Sequence, residues 1–133
     1  MKRTYTGSCH CGNVRFVCDL DLAEGTSRCN CSICGKARFW KAIVPADAFR
    51  LVQGERSLSE YRFGGGDIRH VFCSTCGIKP FGRGYVEEIG DFFAVNIACL
   101  DDVTDGELAD ALIRFEDGRS DRWERAPAET RHL

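Results

Sequence analysis

Seven of the nine cysteines in this 133-residue chain fall into three short clusters. Residues 9–11 form a CxC motif, residues 29–34 a CxCxxC motif, and residues 73–76 a CxxC motif. In an extended strand the two thiols of a CxC point to the same face, whereas a CxxC folds its thiols around a tight turn. Clustered thiolates are ligands that soft metal ions select, so these motifs predict metal binding.

The number of clustered thiols indicates two zinc sites of different kinds. The three motifs contribute two, three and two cysteines. A structural zinc takes four protein ligands, whereas a catalytic zinc takes three and keeps one position open for water or substrate. Seven thiols therefore match one closed site and one open site.

Spacing alone allows two assignments of these thiols. The first assignment joins the two CxxC motifs, as in a zinc ribbon. Its four-thiol site consists of Cys31, Cys34, Cys73 and Cys76, and the three thiols left over are Cys9, Cys11 and Cys29. The other joins the CxC to the later CxxC: its sites are Cys9, Cys11, Cys73 and Cys76, and Cys29, Cys31 and Cys34. Three ligands within six residues can organise an open site locally, so the spacing favours the second assignment without excluding the first. A single structural zinc with incidental thiols, or iron in a four-cysteine site, also fits the pattern.

The remaining cysteines and the histidines are predicted to play no part in metal chemistry. Cys18 and Cys99 continue apolar alternations, and a free cysteine in such a place behaves as a small buried hydrophobe. His10 lies within the CxC motif and His70 lies shortly before the CxxC motif, but neither is adjacent in sequence to the CxCxxC motif. The sequence therefore favours no acid–base role for them, and His132 is predicted to be solvated.

The elements that must position the motifs are mostly short strands. Val14, Phe16 and Cys18 alternate with polar residues, as in a strand with one buried face. Further strands are predicted over residues 39–44, 51–53, 58–63, 68–73 and 92–99, with a helical turn over 45–49 and a hairpin loop over 64–67. Residues 105–114 have a helical apolar spacing, although residues 111–115 also suit a strand. The pattern predicts one β-rich domain spanning residues 1–133.

Composition excludes several classes of function. The chain is 44% hydrophobic and 29% charged, with a net charge of -2, so no basic surplus indicates a nucleic-acid partner. No segment approaches the roughly 18 consecutive apolar residues of a membrane-spanning helix, and the first residues lack the apolar run of a secretory signal. With nine cysteines unsuited to a disulfide framework, we expect a cytoplasmic protein without membrane contacts.

Taken in order, the motifs resemble those of the glutathione-dependent formaldehyde-activating enzyme family, also called the centromere-protein-V/formaldehyde-activating family. The matching segments are residues 7–12, 29–34 and 70–78, with a weaker match over 95–101. The resemblance implies a β-rich Mss4-like, or β-tent, fold of short antiparallel strands tethered by zinc. It also implies a structural zinc on Cys9, Cys11, Cys73 and Cys76, and a substrate-binding zinc on Cys29, Cys31 and Cys34.

The activity implied by this resemblance is a carbon–sulfur lyase reaction that joins glutathione and formaldehyde reversibly as S-hydroxymethylglutathione. Lys36, Arg38 and Lys41 are candidate partners for the glutathione carboxylates, and Phe39 and Trp40 candidate pocket walls. Many relatives carry an arginine after the third cysteine of the CxCxxC, where this chain has Gly35. The alternatives are a non-catalytic zinc-binding interaction module and a zinc enzyme acting on another small molecule. The sequence indicates no oligomeric state.

Overall fold

A computed structural model describes residues 1–133 and contains ten β-strands and two short α-helices. The strands are β1 (Arg3–Ser8), β2 (Arg15–Leu20), β3 (Thr26–Cys29), β4 (Trp40–Pro45), β5 (Phe49–Gln53), β6 (Leu58–Tyr61), β7 (Ile68–Cys73), β8 (Phe81–Val86), β9 (Gly90–Asn96) and β10 (Ile113–Glu116). The helices are α1 (Ser32–Ala37) and α2 (Asp105–Ala109). The protein is therefore mainly β, as predicted, and none of its helices is long and apolar enough to span a membrane.

Two sheets share these strands. A three-stranded antiparallel sheet has the order β1-β2-β5, and a seven-stranded sheet has the order β10-β3-β4-β9-β8-β7-β6. All pairings in the larger sheet are antiparallel except that between β10 and β3. The alternation in β2 buries Phe16, Cys18 and Leu20 on one face, as a strand with a period of two requires.

The main core contains residues from both sheets and is centred on stacked aromatic rings. The ring of Phe49 lies 4.1 Å from that of Phe93 and 4.7 Å from that of Phe81, measured between centroids. Cys18 and Cys99 are both buried in this core, which confirms their predicted structural role. Burial raises the pKa of each of these two thiols to about 12, so both are held protonated near neutral pH.

Several predicted elements match the structure closely. Strand β7 covers residues 68–73 as predicted, and Ala46–Ala48 forms a 3-10 turn within the predicted helical turn. The loop over 64–67 joins the antiparallel pair β6 and β7, as expected of a hairpin.

Two predicted elements differ from the structure. The strand predicted over 92–99 ends at Asn96, whose side chain accepts a hydrogen bond from the Ala98 N–H and starts a 3-10 turn at Ile97–Cys99. The segment 105–114 divides: a capping box between Thr104 and Glu107 starts α2, and the chain then enters β10. The sequence of this segment suited both a helix and a strand because its first half forms the helix α2 and its end enters the strand β10.

Candidate metal centres

Four cysteines gather where the two sheets meet. Cys9 and Cys11 lie in the turn between β1 and β2, and Cys73 and Cys76 lie at the end of β7 and in the following turn. Their four sulfur atoms all lie within 4.8 Å of one another. The Cys9–Cys11 sulfur distance is 3.6 Å and the Cys11–Cys73 distance 3.7 Å, so no disulfide links them. This grouping is the second of the two that spacing allowed.

Backbone amides surround the four-thiol cluster and favour its thiolate forms. The Val14 N–H donates to the Cys9 sulfur at 3.3 Å. Backbone N–H groups of Cys76 and Thr75 lower the pKa of the Cys73 thiol, and those of Cys11 and Ile78 lower the pKa of Cys76 to about 6. Amides aimed at sulfur stabilise negative charge there, so the local backbone suits metal ligation.

The three other clustered cysteines occupy one continuous segment. Cys29 ends β3, Cys31 is the N-cap of α1, and Cys34 lies within that helix. Their sulfur atoms also lie within 4.8 Å of one another, and no fourth histidine, cysteine or carboxylate joins the group. The Cys31 N–H donates to the Cys29 sulfur at 3.3 Å, which holds the start of the helix against the end of the strand.

Interactions between the three thiols give them different pKa values. Hydrogen bonds from Cys29 and then from Cys34 lower the pKa of Cys31 to about 2. The pKa values of Cys29 and Cys34 are raised, because each thiol keeps a proton to donate to a neighbouring sulfur. The thiolate form of Cys31 is thus favoured by its two neighbours, and a bound cation would favour the thiolate forms of all three.

The donor sets of both clusters fit zinc. All seven candidate ligand atoms are sulfur, and soft thiolate ligands suit zinc better than they suit magnesium or calcium. Four thiols complete a tetrahedral structural site, whereas three leave one coordination position for another ligand. The residues present therefore match a closed site and an open site.

Cationic side chains lie close to the three-thiol cluster. Lys41, on β4, is buried and donates to Glu116 at 2.7 Å and to Ser27 at 2.9 Å. Arg38, which ends α1 with a left-handed backbone (φ 50°), lines a small pocket together with Cys34. Lys36 is exposed on the last turn of α1. The three cations named from the sequence thus differ: one is paired, one lines the pocket and one faces solvent.

The two aromatic residues named from the sequence also differ. Phe39 is buried and lines the pocket beside Cys34. Trp40 donates its indole N–H to Thr26 at 2.6 Å, and its ring receives the guanidinium of Arg28 at 4.9 Å from the centroid. Only Phe39 is therefore a pocket wall, while Trp40 supports Arg28, a pocket residue that the sequence analysis did not identify.

His70 and Lys79 also reach this region, although both are distant in sequence from the CxCxxC motif. The ammonium of Lys79 lies 2.9 Å from His70 Nδ1 and 4.2 Å from the centre of the Phe39 ring. His10 is exposed on the turn that carries the four-thiol cluster. Antiparallel pairing of β7, β8 and β9 brings His70 and Lys79 toward the three-thiol cluster. No sequence motif predicts that these two residues lie there.

The last part of the chain contributes residues that the sequence analysis did not assign to the site, among them His132, which is exposed as predicted and also lines the pocket. The pocket beside Cys29 is lined by His132 and Leu133, and the His132 carbonyl accepts a hydrogen bond from Arg38 at 3.0 Å. The Asn30 side chain donates to Asp117 at 2.9 Å and accepts from the Arg119 N–H. A polar Asn30 inside the CxCxxC motif was the only sequence signal for this contact.

Comparisons with known proteins agree with the motifs. Residues 4–116 match the family model described as glutathione-dependent formaldehyde-activating enzyme. The crystal structure of a Rhodobacter sphaeroides protein is similar, with 31% sequence identity and a TM-score of 0.69 over 81% of this chain and 98% of that chain. The chain belongs to the glutathione-dependent formaldehyde-activating enzyme family and has its Mss4-like fold.

Proposed function

We propose that the protein is a zinc-dependent carbon–sulfur lyase that forms or cleaves S-hydroxymethylglutathione or a similar thiol–aldehyde adduct. The observation that carries this proposal is the group of three thiols without a fourth protein ligand, in a chain of this family. Cys9, Cys11, Cys73 and Cys76 would hold a structural zinc, and Cys29, Cys31 and Cys34 a second zinc. The second ion would supply a position that binds the substrate sulfur as thiolate and lowers its pKa.

Two arginines beside the thiols fit an anionic thiol such as glutathione. Arg28 and Arg38 line the pocket with Cys29 and Cys34, and neither takes part in any ion pair of the structure. Burial lowers the pKa of Arg28, and the nearby positive charge of Arg38 lowers it further. The two guanidiniums therefore make the pocket positive, and neither is paired with a carboxylate. Paired guanidiniums of this kind recognise carboxylates, of which glutathione has two.

The fixed backbone around Cys29 and Cys31 would keep the thiols in place during turnover. Asn30 lies between them, is buried, and is held from both sides by Asp117 and by the Arg119 N–H. Because its side chain bridges the loop after β10 to the motif, the cluster does not depend on α1 alone. Positioning of this kind is what a site needs to hold a thiol and an aldehyde in reacting geometry.

One observation favours a second candidate function, a non-catalytic zinc-binding interaction module. His132 and Leu133 leave a cavity of only about 10 Å³ beside Cys29 and Cys34, roughly the volume that one water requires. The pocket that these two residues line with Cys29 and Cys34 is therefore too small to hold a thiol substrate in this conformation. If titration of the zinc-loaded protein with glutathione shows no binding, the interaction module becomes the better account.

The test of the lyase proposal is Cys31→Ser, which removes the central thiol of the three. We expect turnover of glutathione and formaldehyde to fall by at least about 100-fold, because loss of one ligand weakens the second zinc and a catalytic metal is worth several kcal/mol of transition-state stabilisation. Exchange spectroscopy by NMR can follow adduct formation above the spontaneous background. Ser32→Ala, an exposed neighbour on α1, is the control and should keep wild-type turnover. Unchanged turnover in Cys31→Ser would contradict the proposal.

A further inference from the structure

Lys79 carries a half-buried positive charge that no carboxylate balances. None of the ion pairs in the structure includes it, whereas Lys41 nearby is paired with Glu116 at 2.7 Å. Taking an ammonium out of water without a partner is costly, and such groups are retained where the charge has another use. No carboxylate of the protein therefore neutralises Lys79, and its charge is available to an anionic or polar ligand.

Two side chains fix where the ammonium of Lys79 points. The His70 Nδ1 atom lies 2.9 Å from Nζ and accepts one of its three protons, so the neutral ring of His70 carries its hydrogen on Nε2. The ring of Phe39 lies 4.2 Å away on another side, in cation–π contact. With one proton engaged and one face covered, the remaining N–H groups are free to meet a ligand.

The same contacts place the ammonium next to the three-thiol cluster. Phe39 packs with Cys34, and its N–H donates to the Cys34 carbonyl at 3.2 Å. Burial lowers the pKa of Lys79, while the negative charge of Cys34 and Cys31 opposes that change. The thiols of Cys34 and Cys31 thus act on the ammonium as negative charge.

The backbone of Lys79 lies just beyond the turn of the four-thiol cluster and is fixed against β9. Lys79 follows Cys76 by three residues, just after the turn that carries two of the four thiols. Its carbonyl accepts a hydrogen bond from the Asn96 side chain at 2.9 Å, which fixes the segment against β9. The turn of the four-thiol cluster therefore directs a cation toward the three-thiol cluster.

We propose that Lys79 binds the aldehyde oxygen of the substrate at the three-thiol site, and that His70 is the positioning residue that orients it. This inference rests on the proposed lyase function. When the substrate sulfur attacks the aldehyde carbon, a sulfur–carbon bond forms and the electron pair of the carbon–oxygen π bond moves onto oxygen. A Lys79 N–H stabilises the negative charge that develops there. The proton released by the thiol ends on this oxygen, so the sum involves no net proton.

The first test compares Lys79→Met with Lys2→Met, an exposed lysine near the N-terminus. Removal of one donor to a developing oxyanion costs about 10²–10³ in kcat, and we expect a loss in this range for Lys79→Met. The KM for glutathione should change less than about threefold, and the zinc content should stay at its wild-type value. Wild-type kcat, or a loss of zinc that accounts for the lost activity, would overturn the assignment.

A second comparison separates the orienting role of His70 from a packing role. His70→Asn keeps an acceptor near the position of Nδ1, whereas His70→Leu keeps the approximate volume and removes the acceptor. We expect His70→Asn to retain kcat within about threefold and His70→Leu to lose about tenfold or more, with similar KM values for glutathione. Equal kcat values for the two variants would show that His70 has no orienting role.

A third readout does not require turnover. Formate resembles the aldehyde in size and presents oxygen atoms to a cation, so it serves as a probe of the zinc-loaded protein. We expect a saturable shift of the Lys79 side-chain NMR signal in the wild type, and no saturable shift of any lysine signal in Lys79→Met. If the wild type shows this shift but no lyase turnover, the proposed function fails and the oxygen-binding role stands. If turnover is normal but formate leaves Lys79 unaffected, the oxygen-binding role fails alone.

Discussion

At the scale of single residues, Gly118 shows how closely the chain approaches the three-thiol cluster. A Cβ atom at this position would lie 2.6 Å from the Cys29 sulfur and 2.6 Å from the ring of Trp123. Real Cβ atoms do not approach other atoms so closely, so a side chain here would force one of the two to move. The loop after β10 can therefore lie this close to the three-thiol cluster only because residue 118 is a glycine.

Gly118→Ala should weaken the second metal site more than it weakens the fold. We expect a loss of about 1–3 kcal/mol from overpacking, seen as reduced zinc affinity at the three-thiol site in competition with a chelator. Gly106→Ala is the control, because the nearest atom to its added Cβ lies 3.9 Å away and alanine favours a helix. Equal zinc affinities in the two variants would show that the loop tolerates the added methyl.

The residues predictable from sequence are those whose role depends on local spacing. The clustered cysteines and the core thiols Cys18 and Cys99 could be identified because motif spacing and strand alternation are local properties. Lys79 and Gly118 could not, because their proximity to the site depends on how β8 and β10 pair with distant strands. A lysine or a glycine carries no signal of such proximity in a single sequence.

At the scale of elements, the two thiol clusters differ in what they connect. The four-thiol cluster joins the turn after β1, in the smaller sheet, to the end of β7, in the larger sheet. The three-thiol cluster lies within the single segment formed by β3 and α1. A metal in the first cluster would hold two sheets together, whereas a metal in the second would organise only one short segment.

This difference predicts unequal effects of Cys73→Ser and Cys34→Ser. Cys73 is fully buried in the main core, and structural zinc contributes roughly 10–16 kcal/mol of apparent binding free energy in small domains. That is as large as the net stability of a typical domain. We therefore expect Cys73→Ser to abolish the folded protein and Cys34→Ser to lose mainly the second zinc. Soluble yield and thermal unfolding measure the first effect, and equal loss in both variants would contradict the division.

Element boundaries were predictable only where one pattern dominated. Residues 68–73 form a short run rich in apolar residues, and turn-forming glycines precede them, so β7 could be placed correctly. The helix α1 was not predicted, because its six residues include Gly35 and the ligands Cys31 and Cys34 adjoin or occupy it. Metal motifs impose their own backbone geometry, and such a short helix depends on its surroundings rather than on helix propensity.

At the scale of the whole molecule, the fold brings a side chain from beside the four-thiol cluster to the three-thiol cluster. Lys79 follows the turn of the four-thiol cluster, and its ammonium meets Phe39 beside the three-thiol cluster. Loss of the first metal would therefore displace a cation from the second site even if the three thiols remained.

The metal content of the whole chain tests the two-site scheme directly. We expect elemental analysis of freshly purified protein to give about two zinc ions per chain, and mild chelation to remove one of them first. The three-thiol site should release its ion first, because an open position lets the chelator bind before any protein ligand leaves, whereas four thiolates exclude it. Cys34→Ser serves as the control and should start with one ion that resists the same treatment. A single tightly held zinc in the wild type, even after reconstitution with excess metal, would contradict the open site and favour the interaction module.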